Sequence, residues 1–495
     1  MNRLLKQKIS NLPRIELLIY AVLIAISAFL RLFRLEDRAM HHDESLHAFY
    51  SWQLSEGLGF VHNPMMHGPF QMELTAGVFV LLGDSDFTAR LLYAVTGILL
   101  VLMPILFRDF LGRTGMILTS SMLCISPALV YFSRFARNDI IMAVFTFGII
   151  ICIWKYLETQ KPRNLYIMSG LLALCFGTKE SAFLLTGLIG FYLILVTAHF
   201  VWTEAVNKVD KSQLTLVHFY KQFKHQILLI LRNGIAQTNI PSHLSVFILV
   251  LALTLPQWSA GLGLFQHTPL LSWMGLTLLS TEGQIGMPTG GGKVIASLAV
   301  MTTLTFSFLI GFKWSWSIWW RCAVIFYTVW ILIYTTMFTN ISGGVSSGIW
   351  QSLGYWIVQQ GEARGGQPSH YYLLIGSLYE YLPLSVSLIA SIFYFKTRDK
   401  FGLFLTYWSL STFIIYTIAS EKMPWLLVNI TLPLIILSGR FLGQLSEFYV
   451  REKLFRMSWV PFLALLPCLI AFAGWLLVFI FKGSHGFQST AIPLL

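Results

Sequence analysis

The stretch IELLIYAVLIAISAFLRL, from Ile15 to Leu32, is the first long apolar run of the sequence. As a helix it can cross the hydrocarbon core of a bilayer, which takes about 20 residues. The basic segment MNRLLKQKISNLPR precedes it. Because the run lacks a small-residue cleavage site, we expect a retained signal anchor and not a signal peptide that is removed.

Similar apolar runs recur along the 495-residue chain, of which 56% is hydrophobic and 15% aromatic, with a mean hydropathy of +0.68. These values exceed those of typical soluble proteins. The lengths of the runs and the charges of the loops predict about 13 transmembrane helices. The predicted fold class is therefore an all-α polytopic membrane protein, with residues 1–495 forming one transmembrane domain.

The net charge of +12 and the pI near 9.4 could indicate a nucleic-acid partner. Lys and Arg gather instead in short loops at alternate ends of the apolar runs, which is the positive-inside pattern of membrane proteins. The basic composition therefore reflects the orientation of the chain in the membrane, and we predict no nucleic-acid partner. The pattern predicts a cytoplasmic N-terminus in a multi-pass protein of the plasma membrane.

The first outer loop, predicted over residues 33–88, carries the densest group of ionisable residues, HHDESLHAFYSWQLSE at positions 41–56. The spacing of its apolar residues predicts a helix from Asp43 to Glu56 that Gly57 can end. A second helix is predicted in the apolar stretch that starts at Pro69. We expect both helices to lie near the membrane interface.

The acidic pair Asp43 and Glu44 admits three interpretations. Asp43 could cap the helix, since aspartate is a favoured N-cap residue. The pair could instead supply a general base, because adjacent carboxylates repel each other and can raise the pKa of one of them. His42, Asp43 and His47 could also hold a divalent metal ion, although DESLH differs from the H-E-x-x-H motif of zinc peptidases. The residues alone leave all three open, and no cofactor is certain.

Further charged residues stand at the predicted outer ends of other spans or in a later outer loop, residues 338–371. They are Arg137, Asp139, Lys179, Glu180, Arg364, Glu421 and Lys422. Ionisable groups at membrane depth are functional candidates, because burying them unpaired is expensive. Any one of them alone can be a snorkelling or paired charge. Several cations on one membrane face favour an anionic headgroup as their ligand.

Five segments of the sequence resemble the GT-C membrane glycosyltransferases. They read HHDESLHAFYSWQLSEG, HNPMMHGPFQMELTAGVFVLLGDSDFTARL, ISPALVYFSRFARNDIIMAVFTF, LCFGTKESAFLLTG and SEKMPWLLVNITLPLI. The resemblance is to the branch of the protein O-mannosyltransferases and of the aminoarabinose transferase of lipid A. Within it, QQGEARGGQPSHYYL is typical of prokaryotic flippase-activity-associated proteins of surface glycosylation.

The resemblance implies an inverting transferase that takes a sugar, a hexose such as mannose, from a polyprenyl-phosphate donor on the outer face. The acceptor would be a protein, a lipid or a glycan. The resemblance implies catalytic roles for Asp43, Glu44 and Asp139. The aminoarabinose branch contacts the carrier phosphate through a lysine before a proline in the first outer loop, whereas His67 precedes Gly68 and Pro69 here.

We therefore predict that other outer cations contact the donor phosphate. These are Arg137, Lys179, Arg364 and Lys422. The predicted substrate cavity contains His42, His67, Glu180, Gln360, Tyr371 and Glu421. A second hypothesis remains open, in which the chain is a non-catalytic translocator or accessory protein for lipid-linked sugars. A third is a structural subunit of a surface-glycan assembly.

Overall fold

The structure is a computed structural model that describes residues 13–208, 220–221, 224–225, 241–269, 273–361 and 366–451. Arg364 and the last predicted span, beyond residue 451, lie outside the described residues. The described residues are 80% helical and contain no β-strand, apart from one isolated bridge between Thr277 and Thr289. The predicted all-α class is confirmed.

The described residues form 18 α-helices. In chain order they are α1 (Arg14–Leu32), α2 (His42–Ser55), α3 (Phe70–Leu82), α4 (Asp86–Leu102), α5 (Arg108–Leu111), α6 (Arg113–Ile125), α7 (Pro127–Ser133), α8 (Asp139–Thr159), α9 (Pro162–Phe176), α10 (Ser181–Lys208), α11 (Ser242–Thr254), α12 (Gly292–Tyr334), α13 (Ile341–Ser346), α14 (Ser352–Gln359), α15 (Tyr371–Tyr379), α16 (Tyr381–Thr397), α17 (Lys400–Ile418) and α18 (Leu427–Arg451). 3₁₀ segments, of which Leu255–Phe265 has 11 residues, and one π-helical segment, Ser347–Gln351, lie between them.

The chain divides into two compact units. Unit one contains Met1–Gly59, Gln71–Phe147 and Ala363–Leu495, and unit two contains Phe60–Phe70 and Gly148–Glu362. Eleven residues of the predicted first outer loop therefore belong to the second unit. The single domain over residues 1–495 stays a prediction.

Eight helices of the described residues are long and apolar enough to cross a membrane, or up to ten if each of two bent helix pairs is one span. The multi-pass prediction is confirmed, whereas the count of about 13 is not. Helix α3 is apolar but too short to count as a span. This agrees with the prediction that it does not cross the bilayer.

Helix α12 explains part of the difference in count. Its 43 residues break at Ser315, where φ is −166° and ψ is 97°. At 1.5 Å per residue a helix of this length measures about 65 Å, roughly twice the hydrocarbon thickness, so it cannot be one span. Lys313, Arg321 and several tryptophans flank the break. Tryptophans are typical of either membrane interface, and Lys and Arg are typical of short cytoplasmic loops, which fits the predicted turn between two spans.

Helix α2 begins one residue earlier than the sequence predicts. His41 is the N-cap residue, and its Nδ1 accepts a hydrogen bond from the Asp43 backbone N–H at 3.2 Å. The Glu44 side chain accepts from the His41 backbone N–H, which completes a capping box. The interpretation of Asp43 as the N-cap is therefore wrong, because His41 already fills that position. Gly57, at a φ of +75°, follows the helix as predicted.

Two broken helices of unit one meet through Glu380. The α6–α7 pair bends by 58° and the α15–α16 pair by 108°. Glu380 lies at the second break, and its Oε1 accepts from the Ser126 hydroxyl at 2.5 Å and from the Ala128 N–H at 3.0 Å. Arg31 donates to the carbonyls of Leu123 and Cys124 at the end of α6. Anions at helix starts and cations at helix ends complement the helix dipole, so these contacts fix the bend that precedes the Phe135–Asn138 loop.

Candidate active site

Glu44 lies at the centre of a buried group of donors. Its Oε1 accepts from Arg90 Nε at 3.0 Å, and its Oε2 accepts from Arg38 Nη2 at 2.6 Å. The backbone N–H groups of Ala136 and His41 donate to the same carboxylate at 2.9 and 3.0 Å. The side chains of Glu44 and Arg90 are fully buried. A carboxylate that is saturated and buried in this way fixes the start of α2 to its surroundings.

His47 holds the same helix from its next turn. Its Nδ1 lies 2.9 Å from the Ala136 carbonyl oxygen, and the ring is buried. Glu44 and His47 thus contact the two polar groups of one residue, Ala136. No group of three His, Cys, Asp or Glu side chains within the described part of the chain is arranged to hold a metal ion. The geometry of His42, Asp43 and His47 therefore does not favour the metal interpretation of these residues.

Asp43 faces a different neighbour, Arg137. The Arg137 Nη1 forms an ion pair with Asp43 Oδ2, and its Nε lies 3.9 Å from Asp139 Oδ2. The side chains of Asp43, Arg137 and Asp139 are 28%, 6% and 1% exposed. Asn429 donates to Asp139 at 3.4 Å, and the Arg137 guanidinium lies over the Trp425 ring. The structure thus brings together Asp43 and Asp139 around one arginine, and Asp43 is the only one of the three with substantial exposure.

The other predicted site residues of unit one lie in separate surroundings. Lys422 is largely buried, and its Nζ donates to the Ala419 carbonyl at 2.8 Å, just beyond the end of α17. Tyr371 is the first residue of α15 and is buried, whereas Glu421 is half-buried. His42, the first residue of α2, is exposed next to Asp43.

A second polar cluster lies in unit two. His67 Nδ1 and Glu180 Oε2 are 2.7 Å apart. The backbone of the Phe60–Phe70 segment, which we call the strap, docks beside them, with the Gly68 N–H donating to the Thr178 carbonyl at 3.1 Å. A Cβ on Gly68 would lie 2.2 Å from the Gly177 carbonyl oxygen, so only glycine allows this approach. Lys179 is buried next to Glu180 in the chain.

His62 fixes the other end of the strap. Its Nε2 lies 3.0 Å from the His67 carbonyl oxygen, and its Nδ1 contacts the Ser347 hydroxyl in the π-helical segment. A carbonyl can only accept, so Nε2 carries the proton and Nδ1 accepts from Ser347. Burial lowers the pKa of His62 to about 4.

The predicted cavity residue Gln360, at the end of α14, donates a hydrogen bond to the Trp356 carbonyl at 3.4 Å.

Arg38, Arg90 and Trp425 belong to this site but were not predicted from the sequence. Arg90 could have been found, because a lone arginine in the apolar run of α4 must find acceptors to be buried there. Arg38 stands among several charges after the first span and carries no distinguishing signal. A tryptophan such as Trp425 is common in any membrane protein, so its contact with Arg137 required the structure.

One family model matches residues 66–220, that of the dolichyl-phosphate-mannose-protein mannosyltransferases. The match confirms the predicted resemblance to this branch over that part of the chain. No curated protein sequence matches.

Several solved structures are similar to this chain, among them the following three. The first is ArnT from Cupriavidus metallidurans in the apo state, at 15% identity and a TM-score of 0.42, with 88% of this chain and 61% of that chain covered. The second is the Archaeoglobus fulgidus oligosaccharyltransferase tethered to an acceptor peptide, at 11% identity and a TM-score of 0.49, with 92% and 53% covered. The third is ArnT from C. metallidurans bound to undecaprenyl phosphate, at 12% identity and a TM-score of 0.33, with 86% and 77% covered. The chain thus spans less than two thirds of the length of the first two of these structures.

Proposed function

We propose that the chain is a glycosyltransferase that moves a sugar from a polyprenyl-phosphate carrier to an acceptor at the outer face of the plasma membrane. The observation that carries the proposal is the part-exposed Asp43 carboxylate, which buried Arg137 and Asp139 hold in place. The family match adds support, since that family is described as using dolichyl-phosphate mannose and protein acceptors. A hexose such as mannose is the sugar we propose.

Asp43 is the general base in this proposal. Its carboxylate accepts the proton of the acceptor group as that group attacks the anomeric carbon of the sugar. The bond from the anomeric carbon to the phosphate oxygen breaks, and its electron pair leaves with the polyprenyl phosphate. Attack from the side opposite the leaving group inverts the anomeric configuration. Cations need only stabilise the charge that grows on the phosphate.

Glu44 and Asp139 act through Asp43 in this proposal. Glu44 is saturated by arginine and backbone donors, so it positions the first turn of α2, from which Asp43 projects. Asp139 is 1% exposed and lies beside the Arg137 Nε, so it positions the arginine. The phosphate contact then falls to the other predicted cations of unit one, Arg364 and Lys422, because Arg137 is engaged by two carboxylates.

The test uses purified full-length protein in liposomes, with a radiolabelled polyprenyl-phosphate hexose and candidate peptide, lipid and glycan acceptors. Asp43→Asn keeps the shape of the side chain and removes the base, and we expect the transfer rate to fall by about 100-fold or more. The control is Asp399→Asn, since Asp399 is an acid of the same unit paired with Arg440 at 2.8 Å. We expect this control to transfer sugar at the wild-type rate.

Two outcomes contradict the proposal. In the first, Asp43→Asn transfers sugar as fast as the wild type and melts at the same temperature. In the second, the wild type moves the labelled lipid between leaflets but transfers sugar to none of the acceptors, which favours the translocator.

A further inference from the structure

Arg137, which contacts the two acids, also lies over an aromatic ring. The guanidinium carbon is 3.7 Å from the centroid of the Trp425 ring, well inside the range of about 6 Å for a cation–π contact. Both side chains are largely buried. Such a contact is stronger where water is excluded, so the orientation of this guanidinium depends on the indole.

The indole contacts two further groups that surround Asp43. The Phe135 ring, in the same loop as Arg137, stacks on it at 6.4 Å with an interplanar angle of 28°. The His41 ring, which caps α2 and binds the Asp43 N–H, meets it edge-on at 6.3 Å. One side chain therefore touches the helix cap, the loop and the cation that together hold Asp43.

The backbone that carries Trp425 is itself fixed. The hydroxyl of Tyr372, a fully buried side chain, lies 3.1 Å from both the N–H and the carbonyl oxygen of Met423. A 3₁₀ turn, Pro424–Leu426, then leads into α18, from which Asn429 reaches Asp139. The same short segment thus supplies the ring for Arg137 and an amide for its second carboxylate partner.

We infer that Trp425 is a positioning residue for the Asp43 carboxylate, acting through Arg137. With its face covered by the indole, the guanidinium meets Asp43 and Asp139 through its N–H edge. The ring keeps that edge turned to the acids and keeps the arginine from swinging towards an anionic ligand. This inference rests on the proposed function, because the rate effect appears only if Asp43 is the base.

Three variants of the full-length protein test the inference in the transfer assay. Trp425→Leu removes the π face, and we expect kcat to fall by about 10- to 100-fold with little change in KM for the lipid donor. Trp425→Phe keeps a smaller π face, and we expect it to restore most of the lost kcat. The control Trp408→Leu removes a buried tryptophan of α17 that packs on Phe404, and kcat should stay at the wild-type value.

A double-mutant cycle separates positioning from general packing. If Trp425 acts through Arg137, Trp425→Leu has no further effect on kcat once Arg137→Gln is present. The same cycle is measured with the melting temperature as the readout. The double variant should lose less in melting temperature than the sum of the losses in the two single variants. Additive losses in the melting cycle, or a Trp425→Phe variant as slow as Trp425→Leu, would overturn the inference. If the wild type transfers no sugar, the proposed function fails, while the melting cycle still tests the contact.

Discussion

At the start of α2, Glu44 accepts hydrogen bonds from two arginines and two backbone amides, whereas 28% of the neighbouring Asp43 side chain is exposed. Adjacent residues on a helix point about 100° apart, so one can face the protein interior and the other its surface. The sequence predicts that this acidic pair matters, because it lies in the densest group of ionisable residues of a chain that is only 11% charged. It does not predict which acid is buried, because that depends on Arg90, which approaches from another helix.

Glu44→Gln is expected to destabilise the protein far more than Asp43→Asn does. The substitution leaves the fully buried Arg90 without its counter-charge, and breaking a buried pair in this way costs about 3–5 kcal/mol. Asp43→Asn destabilises the protein less, because Arg137 still has a carboxylate partner, Asp139, whose Oδ2 lies 3.9 Å from the Arg137 Nε. Melting temperatures of the purified variants in detergent test this order. Equal melting temperatures would contradict the account of Glu44 as a structural anchor.

At the scale of elements, the strap Phe60–Phe70 shows how a loop becomes part of a folded unit. Its backbone bonds to Gly177 and Thr178, and His62 bonds to Ser347. Composition gives no sign of this, because the loop reads as one continuous outer segment. The approach of Gly68 to the Gly177 carbonyl is a property of the packed backbone, and spacing along the sequence cannot show it.

The strap is expected to make unit two sensitive to acid. Burial lowers the pKa of His62 from about 6.5 to about 4, although the nearby Glu180 opposes this shift. As the pH falls between these values, the unfolded chain binds a proton that the folded chain does not. Stability is therefore lost from about pH 6.5 down to about pH 4, by roughly 3 kcal/mol at most. Protonated His62 would also donate from both ring nitrogens and could no longer accept from the Ser347 hydroxyl.

Melting temperatures measured between about pH 7 and pH 4.5 test this expectation. His62→Gln should lose less stability on acidification than the wild type does. His370→Gln, which replaces an exposed histidine, should behave like the wild type. If acidification lowers the melting temperature of His62→Gln as much as that of the wild type, the proposed role of this histidine is contradicted.

For the whole molecule, hydropathy and charge predict the class and the multi-pass arrangement, because bilayer thickness sets the length of every span. The break in α12 at Ser315 falls between two runs that the sequence predicts as separate spans. The proximity of Asp43 and Asp139 was expected from the charged residues at the predicted outer span ends and from the family resemblance, but Arg137 was expected to contact the donor phosphate and not Asp43. Periodicity alone could not place them, because tertiary packing brings together residues that lie far apart in the sequence.

The predicted orientation can be tested with single cysteines. The four described cysteines are buried, and Cys468, outside the described residues, is replaced by serine. A membrane-impermeant maleimide should label Ser45→Cys, in the first outer loop, in intact cells. It should label Lys313→Cys, next to the break in α12, only after the cells are permeabilised, because the positive-inside pattern puts this turn in the cytoplasm. Labelling of Lys313→Cys in intact cells would contradict the predicted topology and indicate the opposite orientation of this turn.

The central claim is that the Asp43 carboxylate takes the proton of the acceptor group. The most direct measurement is the single-turnover rate of sugar transfer by Asp43→Asn at saturating polyprenyl-phosphate hexose, with donor binding measured in parallel. The account predicts unchanged donor binding and a rate about 100-fold or more below that of the wild type. A variant that binds donor normally and transfers sugar within about threefold of the wild-type rate would contradict it, because removal of the general base costs far more than this.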